Sequence, residues 1–251
     1  MNKLVLVAAA FAALTFGAQA AAVKIGTEGA YPPYNFVDDN SKVGGYDIEV
    51  GNEICKRAQL ECTWVVNEWD TIIPNLLAGN YDGIMADMSI TDERKQTINF
   101  TDPYFPPDPS TYVSLATKKV DYTALKGLKI GAQTATIQSS YLAANLKADN
   151  TILTYDTQDQ ELADLNAGNI DLVFLDGSVV NEVVSGSSGK LKADGPGILI
   201  GDGVGVGMRK GDTDLTAKFN AALASMKADG TLDALIAKDF PDEKGGPFYK
   251  K

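Results

Sequence analysis

A fourteen-residue stretch occurs twice in the chain: LLAGNYDGIMADMS (Leu76–Ser89) aligns without gaps with LNAGNIDLVFLDGS (Leu165–Ser178), and Leu, Ala, Gly, Asn, Asp, Asp and Ser coincide. Each copy reads as a helix, a Gly-Asn turn, an apolar strand and an acid at the strand's C-terminal end. Helix–turn–strand units resemble one another because the physics is the same, so the AGN turn alone carries little. Asp87 and Asp176 in register carry more, because two similar lobes would each present a carboxylate at the same structural point. In open α/β sheets ligands bind beyond the carboxyl ends of the strands. The expected fold class is α/β with two lobes, each a mostly parallel sheet flanked by helices.

The rest of the chain alternates in the same way. Val23–Thr27 is β-branched and alternating, a strand with Glu28 at its end, and Tyr31-Pro32-Pro33-Tyr34 makes a rigid aromatic loop. Asp47 is the expected N-cap of a helix through Ala58, with Glu53 and Arg57 paired one turn apart. Cys62–Val66 is a strand, Asp70 caps a short helix ending at Gly79, and Tyr81–Ala86 is a strand. Asp102–Pro109 holds four prolines and reads as an ordered crossover. Alternation then resumes with a strand over Leu128–Ala132, helices over 138–147 and 159–167, and a strand over Ile170–Leu175. In ILIGDGVGVGMR (Ile198–Arg209) the glycines are spaced GxGxGxG, which fits neither a dinucleotide loop nor a phosphate loop. A strand returning between lobes, where backbones approach closely, suits it better. Helices over 215–228 and 231–238 end the chain, separated by Gly230.

The first residues stand apart. Met1–Lys3 carry positive charge, Leu4–Phe16 is apolar and uncharged, and Ala18-Gln19-Ala20 gives a small-x-small site. This is a secretory signal peptide cleaved after Ala20, because the apolar run is shorter than the ~20 residues of a membrane span. The remainder is expected to divide into lobe 1, residues 21–107 and 204–251, and lobe 2, residues 108–203. Net charge is −11 and there is no histidine. Such a surface repels nucleic acid and anionic lipid. Cys55 and Cys62 should pair in an oxidising compartment, a closure contributing about 2–3 kcal/mol at best. Two cysteines without histidine cannot make a metal site, and no cofactor is expected.

SITDER (Ser89–Arg94) concentrates chemistry where a strand gives way to a helix. Thr91 is a good N-cap and places Arg94 in the first turn, where a cation opposes the helix dipole. A plain ion pair with Asp92 or Glu93 would explain it. So would a bound carboxylate held by the guanidinium fork and helix N–H groups. Gln133-Thr134-Ala135-Thr136 offers a similar helix start in the second lobe. A carboxylate between them, with an ammonium held by Asp176, Ser89 and the aromatic loop, is how a free α-amino acid is gripped.

IGTEGAYPPYNF, GYDIEVGNEICKRAQLECTW, SITDER, the late LDGS and GVGVGMRKGDT resemble the extracytoplasmic solute-binding proteins of polar amino acid ABC transporters. The similarity covers nearly the whole mature chain and is strongest to the lysine/arginine/ornithine and histidine binders. The resemblance implies a type II-like periplasmic binding protein fold, two lobes joined by two crossover strands. It implies a periplasmic monomer that closes around its ligand and delivers it to a permease in the inner membrane. Matched residue by residue, Arg94 takes the α-carboxylate with Ser89 beside it, and Asp176 takes the α-ammonium. Tyr31 and Trp69 sandwich the side chain, and Glu28 meets a cationic head. Thr136 and Gln138 belong to the second-lobe turn, and Ala86, Asp87, Met88, Gln133 and Ile137 complete the candidate set. Ala86 and Asp87 stand where the basic amino acid binders have two serines, and Ile137 where they have threonine.

Glu28, Asp87 and Asp176 outnumber Arg94, and uncompensated buried carboxylates are costly. A cationic ligand head relieves that cost and would stack on Tyr31 and Trp69. Otherwise Asp87 would point away and cap a turn or pair with Lys95. The expected function is binding and delivery of a basic amino acid, with an opine or other derivative as the alternative. An enzyme resembling the cyclohexadienyl dehydratases is the competing class, and lacks a histidine or an evident nucleophile–base pair.

Overall fold

The structure is a computed structural model that describes residues 22–243 and 246–249; the expected signal peptide and its cleavage site lie outside them. Two five-stranded sheets form the framework. The first runs Cys62–Val66, Val23–Thr27, Gly83–Ile84, Gly207–Met208, Asn99–Phe100, and the second Thr151–Tyr155, Lys129–Gln133, Leu172–Leu175, Thr111–Leu115, Leu191–Lys192. In each, the first three strands are parallel and the fourth is antiparallel to both neighbours. The expected α/β class with two mostly parallel sheets is what the chain forms.

The internal repeat is repeated in detail. Gly79 and Gly168 both take left-handed φ, +80° and +74°, which ends each helix at no steric cost. The following amides fold back alike, Asn80 to the Asn75 carbonyl and Asn169 to the Asp164 carbonyl, both at 3.0 Å. The first aspartate of each copy then clips the neighbouring strand. The Lys24 N–H donates to Asp82 Oδ2 at 3.0 Å and the Lys129 N–H to Asp171 Oδ2 at 2.7 Å. The Asp82 and Asp171 amides donate back to the same two lysine carbonyls at 2.8 Å.

The chain passes between the sheets twice. The Pro-rich segment and the glycine-rich one run antiparallel, with Val204 bridged to Ser89 and Phe105 and Ile198 bridged to Ser110. Gly203 has φ +89°, and a Cβ there would meet the Phe105 carbonyl oxygen at 2.7 Å, so glycine permits this approach. The glycines of Ile198–Arg209 therefore serve a returning strand.

Several local expectations differ. Helix Tyr46–Arg57 starts after Gly45, not Asp47. Asp47 is fully buried and accepts hydrogen bonds from Asn35 Nδ2 at 2.9 Å and Tyr104 Oη at 2.6 Å. Asp70 lies within a 3₁₀ turn, Trp69–Thr71, and Thr71 precedes helix Ile72–Leu77 without a side-chain cap. The aromatic loop is part of a small antiparallel sheet, Ala30–Tyr31, Asn35–Val37 and Val43–Gly44. The strand expected over 81–86 pairs only at Gly83–Ile84.

Other expectations hold. Cys55 and Cys62 form a disulfide that ties helix Tyr46–Arg57 to the next strand. Arg57 pairs with Glu53 at 2.8 Å and with Asp229 at 2.8 Å. Asp229 ends Thr213–Asp229, which packs with Thr231–Asp239 against Tyr46–Arg57 on the first sheet's side. No described helix is long and apolar enough to cross a membrane.

Candidate functional site

Both sheets direct their strand ends at one seam. Val23–Thr27 delivers Glu28 there and Lys129–Gln133 delivers Gln133, its counterpart in the second sheet, since both strands carry Lys-Ile-Gly. The two side chains meet, Gln133 Nε2 donating to Glu28 Oε1 at 2.6 Å and to the Asp156 carbonyl at 2.9 Å. This pairing had a signal in the sequence, the shared VKIGTE and LKIGAQ runs.

Around that contact lies a narrow cavity between the two sheets. Glu28, Tyr31, Trp69, Ala86, Asp87, Ser89 and Arg94 line it from the first sheet's side, and Gln133, Thr136, Ile137, Gln138 and Asp176 from the second. Met88 is the member of the sequence-derived set that is absent from the wall. Met88 is fully buried in a cluster with Trp69, Ile72 and Ile84.

Arg94 is placed as the Thr91 cap predicts, its N–H donating to Thr91 Oγ1 at 3.1 Å. The helix it opens is a single turn, Asp92–Lys95, so the guanidinium carries the site more than the helix does. It forms no ion pair within 4 Å among the described residues. It donates to the Ser89 carbonyl at 2.8 Å and, across the seam, to the Ala135 carbonyl at 3.1 Å, and lies 5.2 Å from the Trp69 ring centroid. Burial lowers its pKa to about 10.

Facing it is the start of helix Ile137–Asn145. A capping box uses Thr136 Oγ1 to accept from the Ser139 N–H at 3.1 Å and Ser139 Oγ to accept from the Thr136 N–H at 3.1 Å. The Ile137 and Gln138 amides are left without an acceptor among the described residues, and a carboxylate would supply one.

The acids differ in how they are held. Asp176 accepts from Tyr31 Oη at 2.8 Å and from Gln138 Nε2 at 2.7 Å. Burial, then the Asp108 charge, raise it to about 6 against those hydrogen bonds. Glu28 is raised to about 7 by burial, less the help of Gln133. Asp87 has left-handed φ, +47°, held by its N–H donating to Asp47 Oδ2 at 2.9 Å. Its carboxylate has neither hydrogen bond nor ion pair among the described residues. Burial, then the charges of Asp176, Asp47 and Asp108, raise it well above the carboxylate range, while Arg94 pulls the other way. Lys95 pairs with Asp92 at 3.2 Å and Asp202 at 3.7 Å, so Asp87 faces the cleft.

Two residues that sequence reasoning missed shape this field. Asp47 is the bracket behind Asp87. Asp108, from the Pro-rich crossing, accepts from the Ser178 N–H at 2.7 Å and, with Asp87 and Asp176, walls a smaller adjoining cavity. Asp47 lies in the GYDIEV run but reads there as a helix cap, and nothing in the sequence marks Asp108.

Residues 23–242 match the model of the bacterial extracellular solute-binding proteins, family 3. The lysine/arginine/ornithine-binding periplasmic protein of Escherichia coli (strain K12) is 35% identical over 94% of this chain and 94% of its own length. The histidine-binding periplasmic protein of the same strain is 36% identical over 98% of this chain and 100% of its own. Among solved structures, a periplasmic His/Glu/Gln/Arg/opine family-binding protein from Silicibacter pomeroyi in complex with lysine superposes with a TM-score of 0.83. It is 46% identical, with 89% of this chain and 99% of that one covered. A cavity walled by both sheets, with an arginine that forms no ion pair among the described residues and three acids in its lining, accords with these matches: the chain belongs to family 3 of the bacterial extracellular solute-binding proteins.

Proposed function

We propose that this chain is the periplasmic solute-binding component of an ABC importer, a binding protein and not an enzyme, and that its ligand is a basic amino acid such as arginine, lysine or ornithine. The observation that carries this is charge: Glu28, Asp87 and Asp176 share one cavity in which Arg94 is the only lining cation among the described residues. An amino acid's α groups cancel each other, so a surplus of acid calls for a cationic side chain. The names of the relatives point to the same chemistry.

Arg94 and the Ile137 and Gln138 amides take the α-carboxylate, through a bidentate fork and a helix N-terminus. Asp176, Asp87 and Ser89 take the α-ammonium. Tyr31 and Trp69 flank the side chain, and Glu28 receives its head. The two crossings act as a hinge between lobes 21–107 with 204–251 and 108–203, and closure delivers the loaded form to a permease. Tyr31–Asp176, Gln133–Glu28 and Arg94–Ala135 already bridge the seam, so the bound ligand adds to existing cross-cleft contacts.

A thermal-shift panel on refolded, ligand-stripped protein tests the reading. Arginine, lysine or ornithine at a hundred times Kd adds about 2.7 kcal/mol and raises Tm by several degrees. Stabilisation by glutamine or glutamate alone refutes the basic ligand, a response only to octopine or nopaline moves the assignment to opines, and turnover of prephenate or arogenate refutes the non-enzyme reading.

A further inference from the structure

Helix Gly177–Gly186 begins where the second copy of the repeat ends, and Asp176 stands at its N-cap position with extended backbone. An aspartate there ordinarily accepts from the second or third amide of its own helix. Asp176 makes no such bond. Its oxygens accept from Tyr31 Oη and Gln138 Nε2 instead. The two preceding helices cap themselves, Thr136 accepting from the Ser139 N–H and Thr157 from the Gln160 N–H.

The missing cap comes from 70 residues away in sequence: the Ser178 N–H donates to Asp108 Oδ2, in the Pro-rich crossing, at 2.7 Å. The crossing lies hard against the helix start. A Cβ on Gly177 would meet the Pro109 carbonyl oxygen at 2.5 Å and Asp108 Oδ1 at 2.8 Å, so glycine is what admits the approach. Two residues on, Ser110 Oγ accepts from Gln138 Nε2 at 3.0 Å, the same amide that serves Asp176. The Ser178 hydroxyl lies 2.9 Å from Tyr34 Oη of the aromatic loop. Asp108 stands outside the set that lines the cleft, behind Asp176 in the adjoining cavity.

We propose that Asp108 is a positioning residue: by capping helix Gly177–Gly186 from the crossing, it frees the Asp176 carboxylate to face the cleft and take the ligand's α-ammonium. The inference rests on the role given to Asp176 above. Ser178 is buried, so without Asp108 its N–H is a donor in want of an acceptor, and the carboxylate placed to supply one is that of Asp176. Turned onto its own helix, Asp176 abandons Tyr31 and Gln138. Asp108 also acts through its charge, which raises Asp176 second only to burial, while Tyr31, Gln138 and Arg94 lower it. Asparagine at position 108 keeps an acceptor oxygen for the Ser178 N–H and removes that charge.

A crystal structure of ligand-free Asp108→Ala tests this, together with calorimetric titration of ligand-stripped protein with arginine and lysine. The titrations compare the native chain, Asp108→Ala, Asp108→Asn, Asp176→Ala and the double variant of Asp108→Ala with Asp176→Ala. In the crystal of Asp108→Ala the Asp176 carboxylate should accept from the Ser178 or Val179 N–H, and arginine affinity should fall about tenfold. Asp108→Asn should stay within about threefold of the native chain at neutral pH. Its rise of affinity with pH should move to lower pH, because Asp176 ionises earlier without the neighbouring charge. In the Asp176→Ala background, Asp108→Ala should cost no further affinity. If Asp108→Ala costs the same in both backgrounds, or Asp176 stays on Tyr31 and Gln138 in the crystal, Asp108 is a structural cap alone and the inference fails while the basic-ligand reading stands. If the native chain binds neither amino acid, both fail together.

Discussion

Asp87 and Asp176 hold one register in two copies of one motif, and their fates diverge. Asp176 sits at ordinary φ, −61°, just before a helix, and its carboxylate accepts from Tyr31 and Gln138. Asp87 sits at φ +47° with its backbone tied to Asp47 and its carboxylate unpaired. The first aspartates of the copies, Asp82 and Asp171, do not diverge, each clipping the lysine of the neighbouring strand. Identical residues that make identical contacts are architecture. The pair that departs from symmetry lies on the cavity wall, where Asp176 is held by two hydrogen bonds and the Asp87 carboxylate has none among the described residues.

Replacing Asp176 should have the largest effect. Asp176→Ala strips the α-ammonium of its counter-ion and leaves the Tyr31 hydroxyl and Gln138 amide unpaired. Arginine affinity should fall a hundredfold or more, about 3 kcal/mol, and the ligand-free Tm should drop as well. Asp87→Asn should split those two readouts. It removes a buried, unpaired charge, so the ligand-free Tm should rise by about 2–4 °C for each kcal/mol relieved. Arginine affinity should fall about tenfold, roughly 1.4 kcal/mol, and glutamine affinity by a similar factor, since both ligands carry the α-ammonium. A fall in Tm like that of Asp176→Ala would erase the distinction. Asp82→Asn and Asp171→Asn should have the smallest effects, each costing about 1 kcal/mol of stability by chemical denaturation and leaving affinity unchanged. A loss of binding in either would show that the repeat's structural half reaches the cleft.

The sequence already disclosed the repeat, the two crossings, the disulfide and the polar residues that line the cavity. Each rests on local chemistry: Gly-Asn turns, prolines, glycines under close contact, a threonine cap. Asp47 and Asp70 read as caps because an aspartate before a helix has that look whether it faces the helix end or the core. Burial is decided by distant chain, here Asn35 and Tyr104 for Asp47. Met88 is flanked in sequence by the lining residues Asp87 and Ser89 yet packs into the core with Trp69, Ile72 and Ile84, which adjacency in sequence does not show. Asp108 leaves no trace in the sequence, since its proximity to Asp87 and Asp176 arises only when the crossing folds over the seam.

Affinity for arginine measured between pH 5 and pH 7.5, with the protons exchanged on binding, tests the acid-surplus account most directly. Without ligand, burial raises Glu28 to about 7 and Asp176 to about 6. Raised acids stabilise the empty protein below their unfolded values, near pH 4, and that stability is lost as the pH climbs toward 7. A cation in the cleft favours the ionised acids, so binding must release protons, and affinity must climb with pH and level off above 7. Glu28→Gln should flatten the climb. An arginine affinity independent of pH, with no protons released, would contradict the claim that this cleft is built around carboxylates waiting for a cation.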